Sequence, residues 1–118
     1  MAEYKLGEVE MKFADIIWEN EPIASGDLAR ISEEKLKWKK STTYTILKRL
    51  CDREIFQNVN GIVSSLVTKA QFQAIKSEEF VSETFEGSLP AFVAAFVSKK
   101  KLSEEEIESL RKIIEENN

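Results

Sequence analysis

The sequence predicts a mostly α-helical protein with one small β-hairpin, and three observations carry that expectation. Apolar residues recur at helical spacing along most of the chain, but between residues 55 and 68 they recur at every second position. That segment holds Asn60-Gly61, a pair that favours the two positive φ angles of a tight hairpin turn. After it, residues 69–118 return to helical patterning and carry five of the seven phenylalanines: Phe72, Phe80, Phe85, Phe92 and Phe96. So short a helical segment has too little body of its own to bury them.

In order along the chain, residues 6–19 read as a first helix. Leu6, Val9, Phe13, Ile16 and Ile17 form its apolar stripe, and Asn20-Glu21-Pro22 ends it. Trp18 lies off the middle of that stripe, a place suited to sealing the packing against a neighbour rather than to holding a ligand. Ser25 is the expected N-cap of a short second helix, with Leu28 and Ile31 inward, which gives way to a charged connection over residues 32–38. Trp38 then anchors the start of a third helix as a staple; stacking on a base is the alternative.

The third helix, over residues 39–53, is the one around which the chain is organised. At about 100° per residue, Thr43, Ile46, Leu47, Leu50 and Glu54 share a packing side. Ser41, Thr45, Lys48 and Asp52 face away, with Thr42 and Arg49 on a flank. Residues 35–53 hold seven Lys and Arg (Lys35, Lys37, Lys39, Lys40, Lys48, Arg49, Arg53) against one acid, Asp52, in a chain of net charge −4. Taken alone, such a helix can be a solvated amphipathic face. Its hydroxyl-rich start and Lys-Arg pair also suit a DNA duplex, with backbone N–H groups on phosphates and Thr, Lys and Arg on base edges.

Three helices with a basic third, then a hairpin over residues 55–59 and 62–68, is the order of a winged helix-turn-helix. The expected organisation is therefore a winged-helix DNA-binding domain over residues 1–68 and a helical dimerisation domain over residues 69–118. Helices are expected near 69–85, 88–100 and 103–116, the last opened by the Ser103-to-Glu106 capping box. The candidate DNA contacts are Lys37, Lys39, Lys40, Ser41, Thr42, Thr45, Lys48 and Arg49. The candidate dimer contacts are Phe80, Phe85, Leu89, Phe92, Phe96, Ile107, Leu110 and Ile114. A two-fold dimer would let two small helices read a palindrome in double-stranded DNA; a tail folded back on the N-terminal core is the alternative.

Composition narrows the chemistry. With no histidine, a single cysteine (Cys51) and four scattered glycines, the chain lacks the usual general base, a thiolate metal site and a phosphate loop. No enzymatic activity, metal or cofactor is expected. The longest apolar run, residues 91–97, is far short of the roughly 18 to 20 residues that span a bilayer, and a cytoplasmic location is expected. Cys51 lies off the buried side of the third helix, which favours partial burial as a small hydrophobe over redox control. A winged-helix protein-protein interaction module is the alternative function, since the chain is acidic and residues 58–67 carry no charge.

Glu10, Trp18, Trp38, the Thr42, Thr45, Leu47, Arg49 and Leu50 set, Gly87-Ser88-Leu89, Phe96-Val97 and Leu102-Ser103-Glu104-Glu105-Glu106-Ile107 together give a fairly specific order and spacing. In these the chain resembles the penicillinase-repressor and methicillin-resistance-repressor (BlaI/MecI) family, from Leu6 to the end. The resemblance implies a homodimeric repressor whose winged helix binds an inverted repeat and whose C-terminal helices dimerise. It also implies DNA contacts at Thr42, Thr45 and Arg49. Three departures stand out: Lys39-Lys40-Ser41 replaces the family's Ser-Pro-Lys, the wing is uncharged, and Ala95-Phe96 occupies the Asn-Phe position at which antibiotic-sensing members are cleaved.

Overall fold

The computed structural model describes residues 4–117. The elements run α1 (Glu8–Asn20), β1 (Ile23–Ala24), α2 (Ser25–Leu36), α3 (Lys40–Asp52), β2 (Phe56–Val59), β3 (Ile62–Ser65), α4 (Lys69–Phe85), α5 (Leu89–Lys99) and α6 (Glu104–Glu116). The expected class, helices with a small winged hairpin, is the one observed.

The first three helices bury Phe13, Ile17, Leu28, Leu47 and Leu50 together with Ile55, Phe56 and Val63 of the hairpin segment. The hairpin turns at Asn60 and Gly61, whose φ angles of 53° and 80° are the positive pair that the dipeptide favours. β2 and β3 pair antiparallel from Phe56↔Ser65 to Val59↔Ile62. β3 is shorter than expected, ending at Ser65. Leu66 and Val67 turn instead onto the Ile55 carbonyl, to which their N–H groups donate at 2.9 and 3.2 Å.

Four further expectations are corrected. The sheet has a third strand, β1, which pairs with β3 through Ile23↔Val63 and Ala24↔Ile62 and gives the order β1-β3-β2. Helix α2 runs on to Leu36, because Ser32 and Leu36 continue the inward face of Leu28 and the charges of Glu33, Glu34 and Lys35 point to solvent. Ser25 is the first helical residue and not the cap, a position held by Ala24. Its N–H donates to the Gly61 carbonyl at 2.8 Å, tying α2 to the hairpin turn. Val9, assigned to the apolar stripe of α1, is exposed.

Both tryptophans serve packing. Trp38 lies 5.0 Å from Phe13 between ring centroids and fixes the turn before α3. Trp18 packs between Phe56 and Phe72, at 5.3 and 5.5 Å, and donates its indole N–H to the Val67 carbonyl at 3.0 Å.

The described chain forms two compact units, one up to Lys76 and one from Ser77, so the division falls inside α4. The first turns of α4 belong to the first unit, held there by Lys69 on Asp15 at 2.9 Å and by the nearly inaccessible ring of Phe72. Phe72 is thus not part of the surface available to a second subunit. Reciprocal bonds between Thr68 and Gln71, 2.9 and 3.1 Å, cap the helix start.

The second unit comprises the rest of α4 with α5 and α6. Ser88 accepts the Ala91 N–H to cap α5, and the Ser103-to-Glu106 capping box opens α6 as expected. Accepting the Ser103 N–H, then the bond with its hydroxyl, holds the Glu106 carboxyl below its ordinary range. Neither α5 nor α6 has a buried residue.

Phe72→Ala should cost about 3 to 5 kcal/mol of the first unit's stability in urea unfolding, because it empties a site between Trp18 and Tyr4. A loss below about 1 kcal/mol would contradict that packing.

Candidate nucleic-acid interface

Helix α3 buries one side only. Thr43, Leu47 and Leu50 are buried and Ile46 is packed against the core, so Ser41, Thr42, Thr45, Lys48 and Arg49 must emerge on the other side. All eight candidate DNA contacts are exposed, and the structure brings them to the start and the outer face of this one helix. Glu54, assigned to the packing side, instead follows the helix in the left-handed region with a φ of 62° and is exposed. The chain must reverse there, and the Ile55 N–H donates back to the Leu50 carbonyl.

The amino end of α3 is open electrostatically. Lys39 occupies the N-cap position without a side-chain cap, and the first turn contains no acid. In α1 and α6, by contrast, the first turn holds two and three glutamates. The first N–H groups of α3 therefore keep their partial positive charge, with Lys37, Lys39 and Lys40 around them. This is an arrangement that accepts an anion such as a backbone phosphate. Lys37 adopts a φ of 59°, a conformation that usually favours glycine. A basic side chain is held there despite a backbone cost of about 1 kcal/mol.

Further along, each polar residue has a defined state. Thr45 donates its hydroxyl to the Ser41 carbonyl at 2.9 Å, so it presents lone pairs and a methyl group outward, suited to a base amino group or to the thymine methyl. Lys48 sits 3.4 Å from Asp52, both exposed, a contact that solvent largely screens. Lys40 lies 5.9 Å from the Tyr44 ring centre. Arg49 approaches Glu10 of α1 at 3.8 Å, and Arg53 approaches the same oxygen at 3.6 Å.

Two features of the site do not follow from sequence spacing, the groove residues of α2 and the ion pair of Glu10. Arg30, Glu33 and Glu34 of α2 line a shallow groove with Trp38 and Lys37, Lys39 and Lys40, mixing acid into the basic region. Helical continuity through Ser32 was the signal that would have placed them there. Glu10 stood out in the sequence, but its ion pair with the outer face of α3 depends on how α1 crosses α3, which spacing alone does not fix. Cys51 is half-buried, and burial, reinforced by Asp52, pushes its thiol above the ordinary value. Among the described residues no group of His, Cys, Asp and Glu is arranged to hold a metal ion.

In the second unit, Phe80, Phe85, Phe92 and Phe96 form a chain of ring contacts between 5.5 and 6.3 Å. Phe85 and Phe92 are partly covered by it, whereas Phe80, Leu89, Phe96, Ile107, Leu110 and Ile114 remain exposed. An apolar groove of about 530 Å³ between α5 and α6 is lined by Phe92, Val93, Phe96, Val97, Leu102 and Leu110.

The sequence profile described as penicillinase repressor matches residues 6–116. The chain belongs to the penicillinase repressor family. It is 28% identical over 120 residues to the methicillin resistance regulatory protein MecI of Staphylococcus aureus, spanning 94% of each chain. It is 27% identical over 120 residues to MecI of Mammaliicoccus sciuri, with the same coverage. Identity to the penicillinase repressor of Bacillus licheniformis is 22% over 117 residues, covering 96% of this chain and 91% of that one. The family is one of transcriptional repressors and not of enzymes, as the composition led us to expect. Among the described residues no single helix is long and apolar enough to cross a membrane.

Because its thiol is half-buried and its ionisation is disfavoured, Cys51 should react with iodoacetamide at pH 7.5 at least tenfold more slowly in the folded protein than in urea. Equal rates would show an accessible, activated thiol.

Proposed function

We propose that the protein is a cytoplasmic, homodimeric repressor that lays α3 in the major groove of a palindromic operator. The observation that carries this is the acid-free, uncapped start of α3 continuing into an exposed Ser41, Thr42, Thr45, Lys48 and Arg49 face, in a chain of net charge −4. Lys37, Lys39 and Lys40 would take phosphates and set register, while Thr42 and Thr45 would meet base edges. The names of the relatives, regulators of methicillin resistance and of penicillinase, support a repressor without specifying this chain's target genes.

The second unit would supply the two-fold contact. Phe80, Leu89, Phe96, Ile107, Leu110 and Ile114 are large apolar side chains left exposed in a small unit, and exposed apolar surface of this kind marks an interaction site. A second copy of the same surface covers it symmetrically and gives the two α3 helices a fixed spacing. Phe85 and Phe92 would stiffen that surface from behind.

An interaction module for a protein partner is favoured by one observation, the uncharged wing with Val59, Ile62 and Leu66 exposed. Salt separates the two readings. Selection of genomic fragments by the purified protein should recover an inverted repeat upstream of a gene, with binding that falls steeply as salt rises. Folded dimers that enrich no sequence, or whose duplex binding ignores salt, would favour the protein partner.

On the recovered operator, Thr45→Ala should weaken binding by about 1 kcal/mol or more, at particular base pairs. Lys40→Ala should weaken binding to every sequence and reduce the salt slope by about 0.9 per subunit. Unchanged affinity in both variants would place the reading face elsewhere.

Ile114→Glu, at an exposed position of α6, should convert dimers to monomers in sedimentation without unfolding the first unit. Persistent dimers would exclude this face of α6 from the contact.

A further inference from the structure

Glu10 places a carboxylate against the helix proposed to read DNA. It is the third residue of α1, and its Oε1 accepts the Gly7 N–H at 3.0 Å, which fixes the side chain over the start of that helix. Its Oε2 is buried and has no hydrogen-bond partner. Instead it faces two guanidinium groups, Nη1 of Arg53 at 3.6 Å and Nη1 of Arg49 at 3.8 Å.

The two arginines are held differently. Arg53 is only 22% exposed, and its Nη1 also donates to the Lys5 carbonyl at 2.8 Å. Arg49 is 50% exposed, and among the described residues Glu10 is the only hydrogen-bond or ion-pair partner of its side chain. One guanidinium is anchored and the other is free to leave.

We propose that Glu10 is an internal counter-charge for Arg49 that a DNA phosphate must displace when α3 docks, with Arg53 staying behind to neutralise the buried carboxylate. The proposal rests on the DNA-reading role of α3 given above. Its physical logic is exchange without an orphan: a buried carboxylate stripped of its only cation would be costly, but Glu10 keeps Arg53 when Arg49 swings outward. Phosphate contacts carry no sequence information. A competitor for Arg49 therefore lowers affinity for all duplexes alike and keeps the repressor from lodging on random DNA. Glu10 is in this sense a positioning residue, acting on DNA only through Arg49.

The test is a double-mutant cycle in the full chain, using a random-sequence duplex at one fixed salt concentration. Glu10→Gln, which keeps the shape and the Gly7 bond, should bind about two- to fivefold tighter than the parent, the range expected for losing a partly exposed ion pair. The same substitution in an Arg49→Ala background should bring no gain. A gain of equal size without Arg49 would mean that the lost negative charge acts through the general field, and the proposal would fall. Weaker binding by a Glu10→Gln protein with unchanged melting would overturn it as well, since Glu10 would then be holding Arg49 ready for DNA.

A measurement on the native chain covers the case in which Glu10→Gln fails to fold. Arginine Nε–H resonances followed by NMR during duplex titration should show Arg49 shifting and Arg53 staying in place. Movement of both, or of neither, overturns the exchange. A native chain that binds no duplex at all overturns the DNA-reading role itself, and the proposal with it.

Discussion

The one-sided burial of α3 is the constraint on which the rest of the structure depends. Leu47 and Leu50 are lodged in a core built by Phe13 and Ile17 of α1, Leu28 of α2 and Phe56 of the hairpin. Each such side chain stabilises the fold by about 1.5 to 3 kcal/mol relative to exposure. Because the helix has 3.6 residues per turn, fixing that side fixes the opposite one. Trp38 against Phe13 sets where the helix begins, and the Ile55 N–H on the Leu50 carbonyl sets how the chain leaves it. The polar face is thus positioned by apolar residues that never touch it.

Charge follows the same division. Acids cap α1 and α6, where they complement helix dipoles, and they are absent from the first turn of α3. The acids near the basic helix are few and specific: Glu10 against Arg49 and Arg53, Asp52 against Lys48, and Glu33 and Glu34 along the groove at the turn. Screening makes the Lys48 pair weak, while the partly buried Glu10 carboxylate is screened less. An exposed cation paired with a partly buried acid is a different object from a free one. Arg49, which in the sequence is simply part of a Lys-Arg pair, is therefore the least available of the five cations on this face.

Local patterns were the legible part of the sequence. The hairpin turn, the capping box of α6, the extents of α1, α4, α5 and α6 and the exposed face of α3 all follow from spacings within a few residues. What depended on contacts between distant segments was missed. Two residues of β1 make a strand only because β3 lies beside them. Residues 32–38 looked like a connection because they are rich in charge; in the fold Ser32 is fully buried, its hydroxyl without a hydrogen-bond partner, and α2 continues past it. Phe72 looked like tail surface because it follows the hairpin, yet Trp18 and Tyr4 claim it for the first unit. At the candidate site the cations were visible in sequence, whereas the ion pair that restrains one of them was not.

The distribution of core between the two units bears on how such a repressor could be controlled. The first unit has a closed core, so its shape does not require a partner. In the second, α5 and α6 bury no residue, and the aromatic chain of α4 and α5 leaves Phe80 and Phe96 half exposed. In the proposed dimer, the order of the second unit would come chiefly from association and would depend on concentration. In the proposed complex a single α3 would contact only a few bases, so loss of the dimer would remove operator affinity even with that face intact. In that dimer, control would be most economically exerted on the helices that contribute least to their own stability. Ala95-Phe96 lies in the middle of α5, within that least self-sufficient part of the chain. An agent that cuts, covers or loosens α5 need not touch the winged helix to release it.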